Sequence, residues 1–144
     1  MISSNSAVST CPNEGWKHRT TIVIPINPRP TPRPIWTPAG VRNPTWYQKY
    51  KRETIKAIGR GHLGIDRQTE VWTDVELVCE KPQTPSRPYP SKGDVDSLIK
   101  GVLDCITQAG GWWDDDVQVT KVSGYKRYPI DGEAPHTKVE VYSR

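Results

Sequence analysis

The residues of this 144-residue chain best suited to chemistry are carboxylates in two short segments, with a lysine beside the first. The first segment is Asp94-Val95-Asp96, followed by Lys100. If a helix begins at Asp94, then Asp96 and Lys100 share one of its faces. Asp94 would hang from non-helical backbone at the helix entrance, where its carboxylate can swing toward Asp96. Two carboxylates and an ammonium would then converge at one helix end. A plainer role is also open: Asp94 as N-cap, Asp96 complementing the helix dipole and Lys100 pairing with Asp96. The second segment is Asp114-Asp115-Asp116, behind Trp112-Trp113. Three consecutive carboxylates repel one another. A hydrated turn tolerates them, and a bound divalent cation removes the repulsion. Hard oxygen donors select Mg2+ or Mn2+ over thiophilic metals, and no EF-hand spacing is present. Such a metal lowers the pKa of a bound water and neutralises charge on a scissile phosphate. A neighbouring ammonium stabilises the pentacovalent phosphorus. The set suits phosphodiester hydrolysis.

The elements that must position these residues can be read from pattern. Residues 94–108 carry Val95, Leu98, Ile99, Val102 and Ile106 at spacings of three and four, the stripe of an amphipathic helix, and Gly110-Gly111 ends it. Residues 117–124 alternate as a strand directly after the acidic run. Residues 19–26 (RTTIVIPI), 70–80 and 137–142 read as further strands, with 70–80 half-buried. Residues 44–58 read as a second helix, with Asn43 as N-cap, Pro44 as first helical residue, Gly59 and Gly61 past its end, and Trp46, Tyr50 and Ala57 on one side. The proline-rich stretch after residue 26 and the stretch 81–93 read as loops. Residues 1–16 read as a flexible tail with Trp16 the first anchor, and 17–144 as one domain. The order strand, helix, strand, helix, strand, strand gives a small α+β domain with a mixed sheet and two main helices.

The net charge is +4, and it is unevenly spread. Between Lys17 and Arg60 ten basic residues face a single acid, Glu53. Such a block suits a polyanion, whose counterions are released when Lys and Arg neutralise phosphates. It equally suits a solvated basic surface. Arg33, Arg42 and Lys49 on the N-terminal side, and Arg87 and Lys92 on the loop feeding Asp94, are the candidate phosphate contacts. Cys11, Cys79 and Cys105 match no zinc spacing and form no closed disulfide set, so they read as reduced thiols. No apolar run is long enough for a membrane span, and no signal peptide is visible. A cytoplasmic protein is expected.

The segment GDVDSLIKGVLDCI, then WWDDDVQV and an alternating strand, resembles the signature of RusA-family Holliday-junction resolvases. Asp94, Asp96, Lys100 and Asp104 match its first part. Trp113, Asp115, Asp116, Gln118 and Val119 match its second. The resemblance implies that Asp94, Asp96, Lys100 and Asp116 are catalytic, with Asp94, Asp96 and Asp116 as metal ligands. Counting without a gap would make the last of these Asp115. Ser97 stands where the family usually has Asn, and the N-terminal tail is extra. The resemblance further implies Mg2+ or Mn2+ as cofactor, branched DNA as substrate, and a homodimer making paired nicks that leave 5′-phosphates. It also implies a place in recombination and repair, and commonly a phage origin. The alternatives are a non-catalytic nucleic-acid-binding module, in which the carboxylates are caps and turn residues, and a small structural or assembly protein.

Overall fold

The computed structural model describes residues 14–144, so most of the expected tail lies outside the described residues, as does Cys11. The chain runs β1 (Lys17–Ile24), β2 (Ile35–Thr37), β3 (Gly40–Arg42), α1 (Thr45–Ile58), β4 (Val71–Val78), α2 (Val95–Ala109), a 3-10 turn (Asp116–Gln118), β5 (Val119–Arg127) and β6 (His136–Ser143). Four strands form one sheet in the order β1-β6-β4-β5. The β4–β5 pair is parallel and the other two are antiparallel, so the sheet is mixed, as the pattern predicts. No helix among the described residues is long and apolar enough to cross a membrane.

Burial of β4 differs from the alternation read in its sequence. Val71, Thr73, Val75 and Leu77 are buried as expected, but Trp72 and Val78 on the opposite row are buried too. Asp74 and Glu76 alone stay partly open. For Trp72 the reason is aromatic cover from distant sequence: it stacks on Tyr142 at 4.3 Å and meets Trp16 edge-on at 5.9 Å. Trp16 is thus an anchor, with the Arg144 guanidinium 4.3 Å over its ring. The free thiols of Cys79 and Cys105 are buried.

Helix α1 buries Tyr47, Tyr50, Thr54 and Ile58 against the core side. This corrects the expected face: Ala57 is exposed, and Trp46 points outward beneath the Arg29 guanidinium at 4.1 Å. Helix phase decides it, since Tyr47, not Trp46, is in step with Tyr50, Thr54 and Ile58. Pro44 is the N-cap residue, one place outside the helix, and no side chain caps it. Asn43 lies further out, where its carbonyl accepts from Gln48 Nε2 at 2.7 Å.

Helix α2 buries Leu98, Ile99, Val102 and Ile106 from the expected stripe, together with Gly101 and Cys105, while Val95 in the first turn is open. It is the crossover between parallel strands β4 and β5, so it runs back along the sheet. Its start therefore lies by the end of β5, where Lys126 Nζ donates to the Gly93 carbonyl at 2.9 Å. Its last turns lie by the start of β5. Beyond it, Gly111 passes so close to Gly61 that a Cβ there would meet the Gly61 carbonyl oxygen at 1.9 Å. Gly61 N–H also donates to the Gly110 carbonyl at 2.8 Å. The proline-rich stretch after β1 contains one feature its sequence did not announce: the separate two-stranded hairpin β2–β3.

Candidate active-site cleft

A cleft of about 480 Å3 opens between α2 and the edge strand β5. Ile99, Leu103, Val119 and Val122 give it apolar walls, and Asp96, Lys100, Asp104 and Asp116 give it charge. On α2 the charged residues follow from spacing: Asp96, Lys100 and Asp104 form one row of i, i+4 steps. Lys100 Nζ lies 3.9 Å from Asp104 Oδ2, so its partner is the later aspartate and not Asp96. Asp96 has no hydrogen-bond or ion-pair partner among the described residues. Asp94 occupies the N-cap position with extended backbone, but its side chain caps nothing. Its carbonyl accepts from Leu98 N–H at 3.0 Å, which any residue could provide. The capping role open to Asp94 and the Lys100–Asp96 pairing are both unused.

The acidic run is sorted residue by residue. Asp114 points to solvent, with Arg67 Nε at 3.8 Å. Asp115 caps the 3-10 turn by accepting from Val117 N–H at 3.1 Å. Buried Gln118 completes that capping box. Its Oε1 accepts from the backbone N–H of Asp114 at 2.8 Å and of Asp115 at 3.0 Å. Its Nε2 donates to the carbonyls of Asp66 at 2.7 Å and Thr69 at 2.9 Å. All four bonding positions of the amide are thus used, and the turn is pinned to the 59–69 loop. Asp116 is the member that faces the cleft. The Thr107 hydroxyl donates to Asp116 Oδ1 and accepts from Trp113 Nε1–H at 2.7 Å.

Asp104 and Asp116 both line the cleft, and the Asp116 carboxylate is near enough to raise the pKa of Asp104. Burial pushes the Asp104 carboxyl above its usual range, the Lys100 ammonium pulls it down, and Asp116 raises it again. Two neighbouring carboxylates repel each other, and a proton or a cation relieves that repulsion. Asp104 matched the motif in the sequence, but its place in the site was missed. The signal was its i+4 step from Lys100 in the row begun by Asp96. Thr107 carried no signal.

The two acidic segments do not meet at one point. Asp116 sits by Asp104 and Thr107, whereas Asp96 lies eight residues before Asp104 on α2, about 12 Å along the axis. Accordingly, no group of three or more His, Cys, Asp or Glu side chains among the described residues is gathered tightly enough to hold a metal ion. The donors are hard oxygens of the kind Mg2+ and Mn2+ take, and Asp104 and Asp116 are a pair that a cation would relieve. In chemistry the residues fit such an ion.

The basic candidates fall into three places. Lys49 and Lys92 line one depression with Arg29, Trp46 and Tyr50, where Glu53 and Glu80 also stand. Arg33 and Arg42 are exposed at the β2–β3 hairpin. Arg87 stands apart on the 81–93 loop, where it donates to the Tyr89 hydroxyl at 3.0 Å. Ser97 has a definite partner: its Oγ lies 2.8 Å from Thr31 Oγ1 and accepts from Thr31 N–H at 3.0 Å. The residue that departs from the expected motif therefore ties the proline-rich loop to the first turns of α2.

A family model described as endodeoxyribonuclease RusA matches residues 25–142. No curated protein matches the chain.

Proposed function

Because the chain belongs to the RusA endodeoxyribonuclease family, we propose that it resolves four-way DNA junctions by paired, symmetric, divalent-metal-dependent nicks. The observation that carries this reading is the cleft lined by Asp96, Lys100, Asp104 and Asp116. Asp96 and Asp116 would hold Mg2+ or Mn2+, with Asp94 and Asp104 beside them. The bound cation would acidify a water and neutralise charge on the scissile phosphate. Asp115 is committed to its cap and stays outside the ligand set. Lys100 is mostly exposed and pairs with Asp104 only at 3.9 Å, a contact worth little in water. Its ammonium is thus free to turn toward a phosphate oxygen.

The spacing of Asp96 and Asp104 along α2 also favours the homodimer. Ligands of Mg2+ lie at about 2.1 Å from the ion, a tight fit for carboxylates whose backbones stand about 12 Å apart along the helix. A second copy that brings its Asp94–Asp96 end to the Asp104–Asp116 end of the first would close the sphere, and the symmetry would yield two sites for a junction of near two-fold symmetry. Resealable nicks with 5′-phosphates suit recombination and repair, in the cytoplasm of a bacterial host if the chain is phage-encoded.

The test is a labelled mobile four-way junction incubated with and without Mg2+, with the nicks mapped. Opposed nicks that need the metal are expected. Asp96→Asn and Asp116→Asn should each be inactive alone and regain activity when mixed, because a mixed dimer retains one intact site. A junction that is bound and left intact with Mg2+, or an Asp94→Asn variant as active as the parent, overturns the proposal. Salt-sensitive binding without any metal effect would instead favour a non-catalytic nucleic-acid-binding module.

A further inference from the structure

We propose that the β2–β3 hairpin is a base-stacking element, in which Trp36 receives a nucleobase that has lost its stacking neighbour at a DNA branch point. The inference rests on the nuclease reading above and adds what in the substrate is recognised.

Trp36 is 84% exposed, more than any other large hydrophobic residue described. Its register partner Val41 is 49% exposed, so both project from one uncovered face of the hairpin. Aromatic residues normally contribute to stability by burial, and this one contributes nothing of that kind to the isolated chain. Pro34 before the hairpin and Pro38 in its turn each fix a backbone φ, which restricts the chain that carries the indole.

Charge selects the occupant. Arg33 and Arg42 flank the hairpin, both exposed, and neither meets a carboxylate among the described residues. No acid occurs between Lys17 and Glu53. Arg42 pairs with Ile35 and so leaves the hairpin on the face opposite to Trp36, and Arg33 lies just before the first strand; an apolar ring on an otherwise basic hairpin suits a strand that offers base faces between phosphates. Bases inside a linear duplex are already stacked on both sides, so a branch point is where a face becomes available.

Position links the hairpin to the cleft. Thr31 is hydrogen-bonded to Ser97, and Pro30 packs on Gly93, where a Cβ would meet it at 2.7 Å. These anchors bracket Asp94 and Asp96. From Thr31 to Trp36 the chain can reach at most about 17 Å. That is about five base steps along a strand. The stacked base would lie within a few nucleotides of the helix end that carries Asp94 and Asp96.

The experiment compares full-length parent, Trp36→Ala and Trp36→Phe, without Mg2+. Binding is measured to a four-way junction carrying 2-aminopurine at the branch point and to a linear duplex of the same sequence. A stacking contact corresponds to roughly 5- to 150-fold in affinity. Trp36→Ala should therefore weaken junction binding about tenfold or more, leave duplex binding within about twofold, and remove the fluorescence change of the 2-aminopurine. Trp36→Phe should keep most of both. Equal losses on junction and duplex, or unchanged junction binding, overturn the proposal. So does a change in oligomeric state by light scattering, which would assign the face to a second copy of the chain. A parent that prefers junctions but leaves them uncut with Mg2+ would sink the nuclease reading and leave this comparison intact.

Discussion

Two groups of carboxylates stand at opposite ends of β5, and they are treated in opposite ways. At its far end, Glu133 takes both guanidinium nitrogens of Arg127, at 2.5 and 2.8 Å. Glu76 accepts from the Tyr125 hydroxyl, lies 3.4 Å from Arg127 Nε, and has Lys138 Nζ at 4.0 Å. The Tyr125 hydroxyl and the Arg127 guanidinium hold the Glu76 carboxyl below its usual range. Arg127 together with the Ile130 N–H brings Glu133 down to about 2. At the near end, Asp104 is pushed up by burial, Asp116 adds to that, and the single lysine beside the pair is loosely held. Asp94 and Asp96, at the start of α2 and so by the other end of β5, have no side-chain hydrogen-bond or ion-pair partner among the described residues. Glu76 and Glu133 are matched with cations of the same chain. On the proposed reading, the carboxylates of the cleft take their cation from outside.

This contrast can be broken by substitution, and the largest effect should come from the near end. Asp116→Asn should lower Mg2+-dependent nicking by at least about a hundredfold, since a metal's charge stabilisation is worth several kcal/mol. Junction binding without metal should hold or improve, because a negative charge leaves the cleft. If nicking survives, Asp116 is not in the site. Next is Thr107→Val, which keeps the shape but removes the donor to Asp116. It should weaken Mn2+ binding, read by calorimetry, by about 10- to 100-fold, with Thr107→Ser restoring it. Equal weakening in the serine variant would mean that packing, not the hydroxyl, matters.

Asp104→Asn should raise the Tm of the metal-free protein at neutral pH, by less than about 4 °C. The sign follows from the raised pKa: the charged form costs stability above it, and the cost disappears below the ordinary value of 3.8. The gain should therefore fade below about pH 4. A fall in Tm at neutral pH would contradict the view that this pair is unmet. Glu133→Gln is expected to have the smallest effect and the opposite sign. Its carboxyl is depressed from 4.5 to about 2, so its contribution is present above pH 4.5 and lost as pH falls through 2. The variant should melt slightly below the parent at pH 7, and the two curves should merge near pH 2. A gap that persists there would assign the effect to something other than charge.

Residue types and spacing were enough to find α2, β5 and the carboxylates between them, because an apolar stripe and an alternating strand are local patterns. Which carboxylates meet was not local. It depends on α2 running back from β4 to β5, which brings Asp116 to Asp104 and Thr107 and leaves Asp94 and Asp96 at the other end. The burial of Trp72 on the second face of β4 was illegible for a similar reason, since Trp16 and Tyr142 cover it from the two ends of the chain. Helix α1 was placed correctly but rotated, because the aromatic Trp46 was given the place that helix phase gives to Tyr47, in step with Tyr50, Thr54 and Ile58. The β2–β3 hairpin was hidden by prolines, which a two-stranded ribbon tolerates at its margins.

The crossing of Gly61 and Gly111 has a genetic consequence. Any side chain at position 111 would collide with the Gly61 carbonyl, and the positive φ of 84° adds backbone strain. That crossing lies at the base of the segment whose Gln118 clamp fixes the Asp116 turn to the 59–69 loop. Heat-sensitive alleles should therefore gather at codons 61 and 111. Such mutants would fail in cutting before they fail in accumulating, because the turn slips while the sheet beneath it holds.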